Sequence, residues 1–176
     1  MSLTHDRYDV IKSNKYPILI TVGFFLIISY VAFGIHSYWT FDNDGIEYLN
    51  GGKEILKGNG KNVGLPNAPA IGTIIYAGLA NVFGDGFSVM KSISVLSGTG
   101  IVFFSYYITR NIFDSKTALI TQLFVAFNPW CGIFSIQAAH ELLPIFIIMI
   151  TLYLITKREL KTIDMIIVGS LLGLAF

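Results

Sequence analysis

The stretch Phe41-Asp42-Asn43-Asp44-Gly45-Ile46-Glu47-Tyr48 places an acidic cluster directly after a long uncharged run, residues 17–35. That run has the length a helix needs to cross a bilayer, which is about 20 apolar residues. Behind the cluster, apolar residues recur at helical spacing over 44–56. This pattern predicts an amphipathic helix along the membrane surface. Carboxylates held on such a helix are positioned for proton transfer at the lipid surface.

The composition is that of an integral membrane protein. Hydrophobic residues make up 53% of the chain and charged residues only 13%, with a mean hydropathy of +0.65. Soluble domains carry about 25% charged residues, so the sequence predicts an all-α polytopic membrane protein with about five transmembrane helices. A net charge of +1 argues against nucleic acid as a partner. Cys131 is the only cysteine, which excludes an internal disulfide.

The first half of the chain divides into a terminus, a span and a long loop. Residues 1–16 are polar and carry three basic side chains, so we expect them on the cytoplasmic side. The first span, 17–35, is too long for the core of a cleaved signal. An outer loop, 37–90, follows and carries two interfacial helices, 44–56 and 70–83.

The segment 70–83 is apolar but short, and the basic residues decide whether it crosses the membrane. If it does not cross, eight of the twelve Lys and Arg residues face the cytoplasm, including Lys157, Arg158 and Lys161 in one short loop. If it crosses, those three residues move outside, against the positive-inside rule. The sequence therefore predicts that 70–83 lies in the interface.

Four further spans are predicted from apolar runs: 92–109, 117–136, 142–156 and 163–176. In the first of them, Gly98 and Gly100 favour close approach of a neighbouring helix. The membrane domain thus occupies 17–176. Its last span stops at Phe176 in mid-pattern, without flanking charge. We therefore expect the chain to be the N-terminal part of a longer protein.

This topology places two acidic positions on the same outer face, one after the first span and one at the end of the third. Two carboxyl groups facing one cavity can activate a hydroxyl or hold a metal ion. The candidate residues are Asp44, Asp42 and Glu141 for catalysis and Tyr48, His140 and Lys53 for substrate binding. No organic cofactor is indicated. A divalent metal ion, if one binds, would be held by Asp44 and Glu141.

Each of the acidic residues also has a structural interpretation. Asp44 and Glu47 have the spacing of a helix capping box. Asp42 can be a solvated loop residue. Glu141 can cap the fourth span or pair with His140.

The other candidates have structural interpretations as well. Tyr48 can anchor the surface helix, since tyrosine favours the membrane interface. Lys53, with Lys57 and Lys61, can form a solvated face. Near a membrane, the same lysines can attract a lipid phosphate.

The order of segments resembles the N-terminal part of the type-C glycosyltransferases, with protein O-mannosyltransferases and lipid-A aminoarabinose transferases the nearest in pattern. The resemblance runs from Pro17 onward and rests on the order and spacing of several short motifs. These are an outer Asp-x-x-x-Tyr helix (Asp44 to Tyr48), a Gly-rich link, a Pro-containing step, an apolar helix ending Phe83-Gly84, a span ending Tyr107-Ile108-Thr109-Arg110-Asn111-Ile112-Phe113, the pair Asn128-Pro129, an outer acidic residue, and Gly169–Leu174.

The resemblance implies transfer of a sugar from a polyprenyl-phosphate carrier to a hydroxyl on protein, lipid or glycan, usually with inversion. It implies an active site on the outer face of the plasma membrane. Asp44 best matches the family's general base, with Asp42 as the fallback. Glu141 occupies the place of the second acidic residue, with His140 beside it. The sequence departs from the lipid-A enzymes at Ala68, where they have lysine.

A non-catalytic membrane subunit or a transport scaffold is the alternative function. In that case the acidic residues would serve as helix caps and loop charges. Acids at mid-membrane depth would favour transport. Here they fall at span ends or in loops, which argues against an ion path.

Overall fold

The computed structural model of the protein describes residues 3–35, 43–59, 70–138, 141–157 and 161–175. Side chains are described for residues 15–35, 47–59, 73–138, 141–157 and 161–173. These parts of the chain contain helices and turns and no strand, which confirms the all-α class. The helices in chain order are α1 (Leu3–Ser29), continued by a π-helical segment (Tyr30–Ile35), α2 (Asn43–Leu56), α3 (Ala70–Phe83), α4 (Gly86–Ile112), α5 (Ser115–Ala126), α6 (Pro129–Ile136), α7 (Leu142–Ile155) and α8 (Thr162–Ala175).

Within the described ranges, two helical stretches are long and apolar enough to cross a membrane, namely Lys15–Ile35 and α4. Helices α5 and α6 together form a third candidate span, bent by 54° at the break between them. Helices α7 and α8 have 14 residues each, fewer than a full crossing needs. Every segment predicted as a span is therefore helical, and the last two are short.

The bend between α5 and α6 follows from the pair Asn128-Pro129. Proline disfavours helical geometry in the residue before it, and Asn128 is extended, with ψ of 120°. The Asn128 side chain then accepts a hydrogen bond from the Trp130 backbone N–H at 2.9 Å. Pro129 is at the first helical position, where the missing N–H costs nothing.

Helix α4 begins at Gly86, ahead of Ser92, where the sequence analysis began this span. Gly84 has a φ of +80° and separates α3 from α4. Asp85 then caps α4, because its side chain accepts from the Phe87 N–H at 3.0 Å and from the Ser88 hydroxyl at 2.5 Å. Lys91 therefore lies inside a helix and not in a loop.

Helix α4 is central, since it packs against α1, α3, α5, α6 and α7. A core cluster of Phe24, Ile28, Ala32, Val95 and Val102 joins it to α1. A Cβ at Gly98 would run into the Ser135 hydroxyl, and one at Gly100 would run into the Phe146 ring. The predicted close approach at these two glycines is confirmed.

The two helices predicted for the outer loop have nearly the predicted bounds, α2 over Asn43–Leu56 and α3 over Ala70–Phe83. A Cβ at Gly52 would collide with the Thr73 carbonyl oxygen, and one at Gly86 would collide with the Leu49 side chain. Helix α2 thus packs closely on α3 and on the first turn of α4. Their placement at the membrane surface stays a prediction.

Candidate functional site

Helices α2 and α3, the start of α4 and the entry to α7 meet around Tyr76. Tyr76, Met90 and Ala138 form one buried cluster, against which Leu49, Phe87, Ile93 and Leu143 pack. Tyr48 and Glu141 both act electrostatically on Tyr76. Two of the sequence-predicted residues therefore belong to segments that meet at this cluster.

The position of Gly52 on α2 explains how Tyr48 comes close to the Tyr76 cluster. Tyr48 and Gly52 are four residues apart and share one face of the helix. Gly52 is buried against Thr73 and Ala77. Without a side chain at residue 52 the two helix backbones approach closely, and Tyr48 is carried towards Tyr76.

Tyr76 is 1% exposed, and its hydroxyl oxygen is buried without a hydrogen-bond partner in the described part of the chain. Burial raises the pKa of Tyr76 above its ordinary value, and the nearby Glu141 carboxylate and Tyr48 raise it further. The phenol therefore stays protonated. It presents a hydrogen-bond donor inside the cluster.

Glu141 directly precedes α7, yet it does not cap that helix. Its backbone is already helical, with φ −67° and ψ −34°, and its side chain makes no capping hydrogen bond. A capping residue normally has extended geometry, as Asp85 and Asp114 do here. The Glu141 side chain is half-buried, with Oε2 out of contact with solvent. The interpretation of Glu141 as a helix cap is wrong.

Lys91 is a further buried charge at this end of α4, and the sequence analysis did not select it. It is 1% exposed. Its ammonium lies 5.1 Å from the centre of the Phe87 ring and 5.6 Å from that of Phe33. Aromatic faces attract a cation at such distances. The signal in the sequence that could have placed Lys91 inside a helix is the continuous helical pattern that starts at Gly86.

An apolar groove of about 360 Å³ runs along the seam between α3 and α4. It is lined by Leu79, Phe83, Asp85, Ser88, Val89, Ser92, Ile93 and Leu96. Ile93 also packs against the Tyr76 cluster, so the groove borders that cluster. An open apolar groove of this kind suits a hydrocarbon chain.

Comparison with known protein families gives one match. Residues 67–176, more than half of the chain, match the family described as dolichyl-phosphate-mannose-protein mannosyltransferase. The chain belongs to this mannosyltransferase family. Neither the curated proteins nor the solved structures contain a significant match.

Membership of the mannosyltransferase family confirms the resemblance to type-C glycosyltransferases and implies glycosyltransferase activity in general. With the apolar helices, it identifies an integral membrane protein. The match includes Tyr76, Lys91 and Glu141 and begins after Asp44 and Tyr48. The buried cluster thus lies partly inside the region that this family shares.

The structure of this mannosyltransferase-family chain describes the remaining candidates, Asp42, Asp44 and His140, only in part. Asp42 and His140 lie outside the described residues. Asp44 is the second residue of α2, and its side chain lies outside the described set. Asp44 is therefore in the first helical turn of α2. Its interpretation as part of a capping box with Glu47 stays a prediction.

Lys53 is half-buried in the last turn of α2. Lys53 is five positions after Tyr48, so its Cβ points about 140° away from that of Tyr48 around the helix axis. Lys57, one turn further, is exposed and pairs with Glu54 at 2.8 Å. Helical geometry thus separates Lys53 from the face that carries Tyr48.

The described residues contain no group of three or more His, Cys, Asp and Glu side chains that could hold a metal ion. The predicted ligand pair includes Asp44, whose side chain lies outside the described set. Metal binding by Asp44 and Glu141 therefore stays a prediction.

Proposed function

We propose that this protein transfers a sugar, mannose in the first instance, from a polyprenyl-phosphate carrier to a hydroxyl group at the outer face of the plasma membrane. The observation that carries the proposal is Glu141, a half-buried acid that does not cap its helix and acts electrostatically on the buried Tyr76. In the proposed reaction, this acid contacts the substrate. Family membership supplies the reaction class.

The helical register of α2 connects Asp44 to the same place. Residues 44, 48 and 52 are spaced four apart and share one face of the helix. That face meets α3 at Gly52. Asp44 is thus one helical turn from Tyr48 along α2. This register supports Asp44 as the general base, with Asp42 as the fallback.

The charged and apolar features next to the cluster suit the two halves of a polyprenyl-phosphate donor. The groove between α3 and α4 suits the hydrocarbon chain. Lys91, buried between Phe33 and Phe87, adds positive charge that favours an anionic headgroup at this end of α4. Lys53 and His140 remain proposed contacts for the headgroup.

In the proposed reaction the acceptor oxygen forms a bond to the anomeric carbon of the sugar. The bond from that carbon to the phosphate oxygen breaks, and its electron pair leaves with the polyprenyl phosphate. Asp44 takes the proton of the acceptor hydroxyl. The configuration inverts because the acceptor attacks opposite the leaving group. Nearby negative charge, which Glu141 supplies, stabilises the oxocarbenium-like transition state.

The proposed topology has residues 1–16 in the cytoplasm and the acceptor outside. Acceptors can be protein, lipid or glycan hydroxyls. If a divalent metal ion takes part, Asp44 and Glu141 would hold it. Chelation would then reduce transfer, and added metal would restore it.

The test is mannose transfer by the full-length protein in liposomes, with polyprenyl-phosphate mannose as donor. Asp44→Asn should lower the rate by at least about 100-fold, because the base is lost, while membrane insertion is unchanged. Lys91→Met should raise the KM for the donor. Asp114→Asn is the control, because Asp114 is an exposed helix cap at the other end of α4 and asparagine also caps well. Undiminished transfer by Asp44→Asn would remove Asp44 from the role. A correctly inserted wild-type protein without transfer would favour a non-catalytic subunit.

A further inference from the structure

The Tyr76 hydroxyl is buried in a place where nothing in the described chain accepts its hydrogen bond. Tyr76 is 1% exposed, and its oxygen has no protein partner in the described residues. A buried polar group left in this state destabilises the fold, because it has lost its hydrogen bonds to water and gained none in return. Phenylalanine would fill the same volume without that cost. The hydroxyl therefore needs an explanation other than packing.

The surroundings of the hydroxyl indicate the kind of partner it takes. Glu141 is a hydrogen-bond acceptor and Tyr48 carries a second phenol, and both lie close enough to affect Tyr76 electrostatically. Tyr76 itself stays protonated and acts as a donor. A ligand that both donates and accepts hydrogen bonds would satisfy such a mixed set, and a sugar hydroxyl does both.

We propose that Tyr76, together with Glu141, forms a subsite that binds a hydroxyl group of the sugar carried by the donor. Tyr76 donates to the sugar oxygen, and that hydroxyl donates its own proton to the Glu141 carboxylate. Tyr76 thereby acts as a specificity-determining residue. The identity of the ligand rests on the proposed function, whereas the need for a partner rests on the buried hydroxyl.

A hydrogen-bonding site discriminates strongly against a ligand that lacks the matching hydroxyl, because its own polar groups are then left unpaired. The wild-type protein should therefore bind polyprenyl-phosphate mannose more tightly than at least one single-position deoxy analogue. The expected difference is at least about tenfold in Kd, which corresponds to one buried hydrogen bond.

Tyr76→Phe tests the subsite, because it removes one oxygen atom and keeps the ring. The measurement is equilibrium binding to the full-length protein of three ligands: polyprenyl-phosphate mannose, its deoxy analogues, and polyprenyl phosphate without sugar. Tyr76→Phe should bind the mannose donor about tenfold more weakly. It should also lose the discrimination against the deoxy analogue and keep the affinity for polyprenyl phosphate.

Tyr106→Phe is the matched control. Tyr106 is equally buried, but it lies near the other end of α4, with its ring facing Arg110. That variant should leave binding of all three ligands unchanged.

The outcomes separate this subsite from the proposed function. If the wild-type protein discriminates between mannose and its deoxy analogues and Tyr76→Phe does so equally, the Tyr76 assignment is overturned and the transferase proposal stands. The same holds if Tyr76→Phe raises the thermal stability but changes no affinity, since the hydroxyl would then be only a packing defect. If the wild-type protein shows no affinity for the mannose donor, the proposed function itself fails, and the subsite fails with it.

Discussion

The two ends of α4 use acidic residues in opposite ways. At the Ile112 end, Asp114 is exposed and fully engaged as a cap. It accepts from the Lys116 N–H at 2.8 Å, the Thr117 N–H at 3.1 Å and the Thr117 hydroxyl at 2.7 Å. At the Gly86 end, Glu141 also precedes a helix, but it makes no capping bond and lies beside a buried phenol. The first acid stabilises the fold. The second is the acid that we propose contacts the substrate.

The hydrogen bonds that Asp114 accepts also hold the pKa of its carboxyl below the ordinary value. Such a carboxyl stays ionised at neutral pH and has little remaining capacity for proton exchange. This is the expected behaviour of a helix cap. Asp114 and Glu141 each directly precede a helix in the sequence, yet only Asp114 caps its helix in the structure.

The largest effect is expected from neutralising the two acids in turn. Glu141→Gln keeps the shape of the side chain and removes its charge, so mannose transfer should fall by about 100-fold or more. Asp114→Ala should instead lower the free energy of unfolding, because the helix cap is lost, and leave the rate nearly unchanged. Transfer rates in liposomes and thermal unfolding in detergent measure the two effects. Equal losses of transfer rate in both variants would contradict the different roles assigned to Glu141 and Asp114.

A smaller effect is expected from separating α2 from α3. Gly52→Val places a side chain against the Thr73 carbonyl oxygen, which belongs to the backbone and cannot rotate away. Overpacking of this kind costs about 1–3 kcal/mol, and it should weaken donor binding because Tyr48 moves away from Tyr76. Thermal unfolding and donor affinity are the measurements.

Gly78→Ala is the control on the opposing helix, since a Cβ at Gly78 meets nothing within 4 Å. That variant should gain about 0.5–1 kcal/mol of stability from helix propensity. If Gly52→Val is tolerated as well as Gly78→Ala, the close contact between α2 and α3 is not required for the site.

Local signals predict much of the fold. The bounds of α3 follow from Pro69 before it and from Phe83-Gly84 after it, where Gly84 adopts a positive φ. The end of α2 follows in the same way from Gly58, with a φ of +83°. Gly98 and Gly100 predict the close neighbours of α4 correctly. Glycine and proline act within a few residues, so single-sequence reasoning detects them.

The site is harder to predict from the sequence than the fold is, because burial depends on contacts between distant segments. Nothing local distinguishes Tyr76 from the other tyrosines, and its burial arises from packing against Met90 and Ala138. Lys91 is buried beside Phe33, which belongs to the first span. Glu141 could be placed near a helix start, but only its backbone geometry shows that it does not cap that helix.

The most direct test of the account is which side of the membrane each end of α4 faces. Helix α4 has 27 residues, which corresponds to about 40 Å and the thickness of a bilayer. Asn59 follows α2 at the Gly86 end, Lys116 is in the first turn of α5 at the other end, and both are exposed. Single cysteines at these positions, in a Cys131→Ser background, are treated with a membrane-impermeant maleimide on intact cells. Asn59→Cys should be labelled from outside and Lys116→Cys only after permeabilisation. Labelling of both from the same side, or in the reverse pattern, would contradict an outward-facing site at Tyr48, Tyr76 and Glu141.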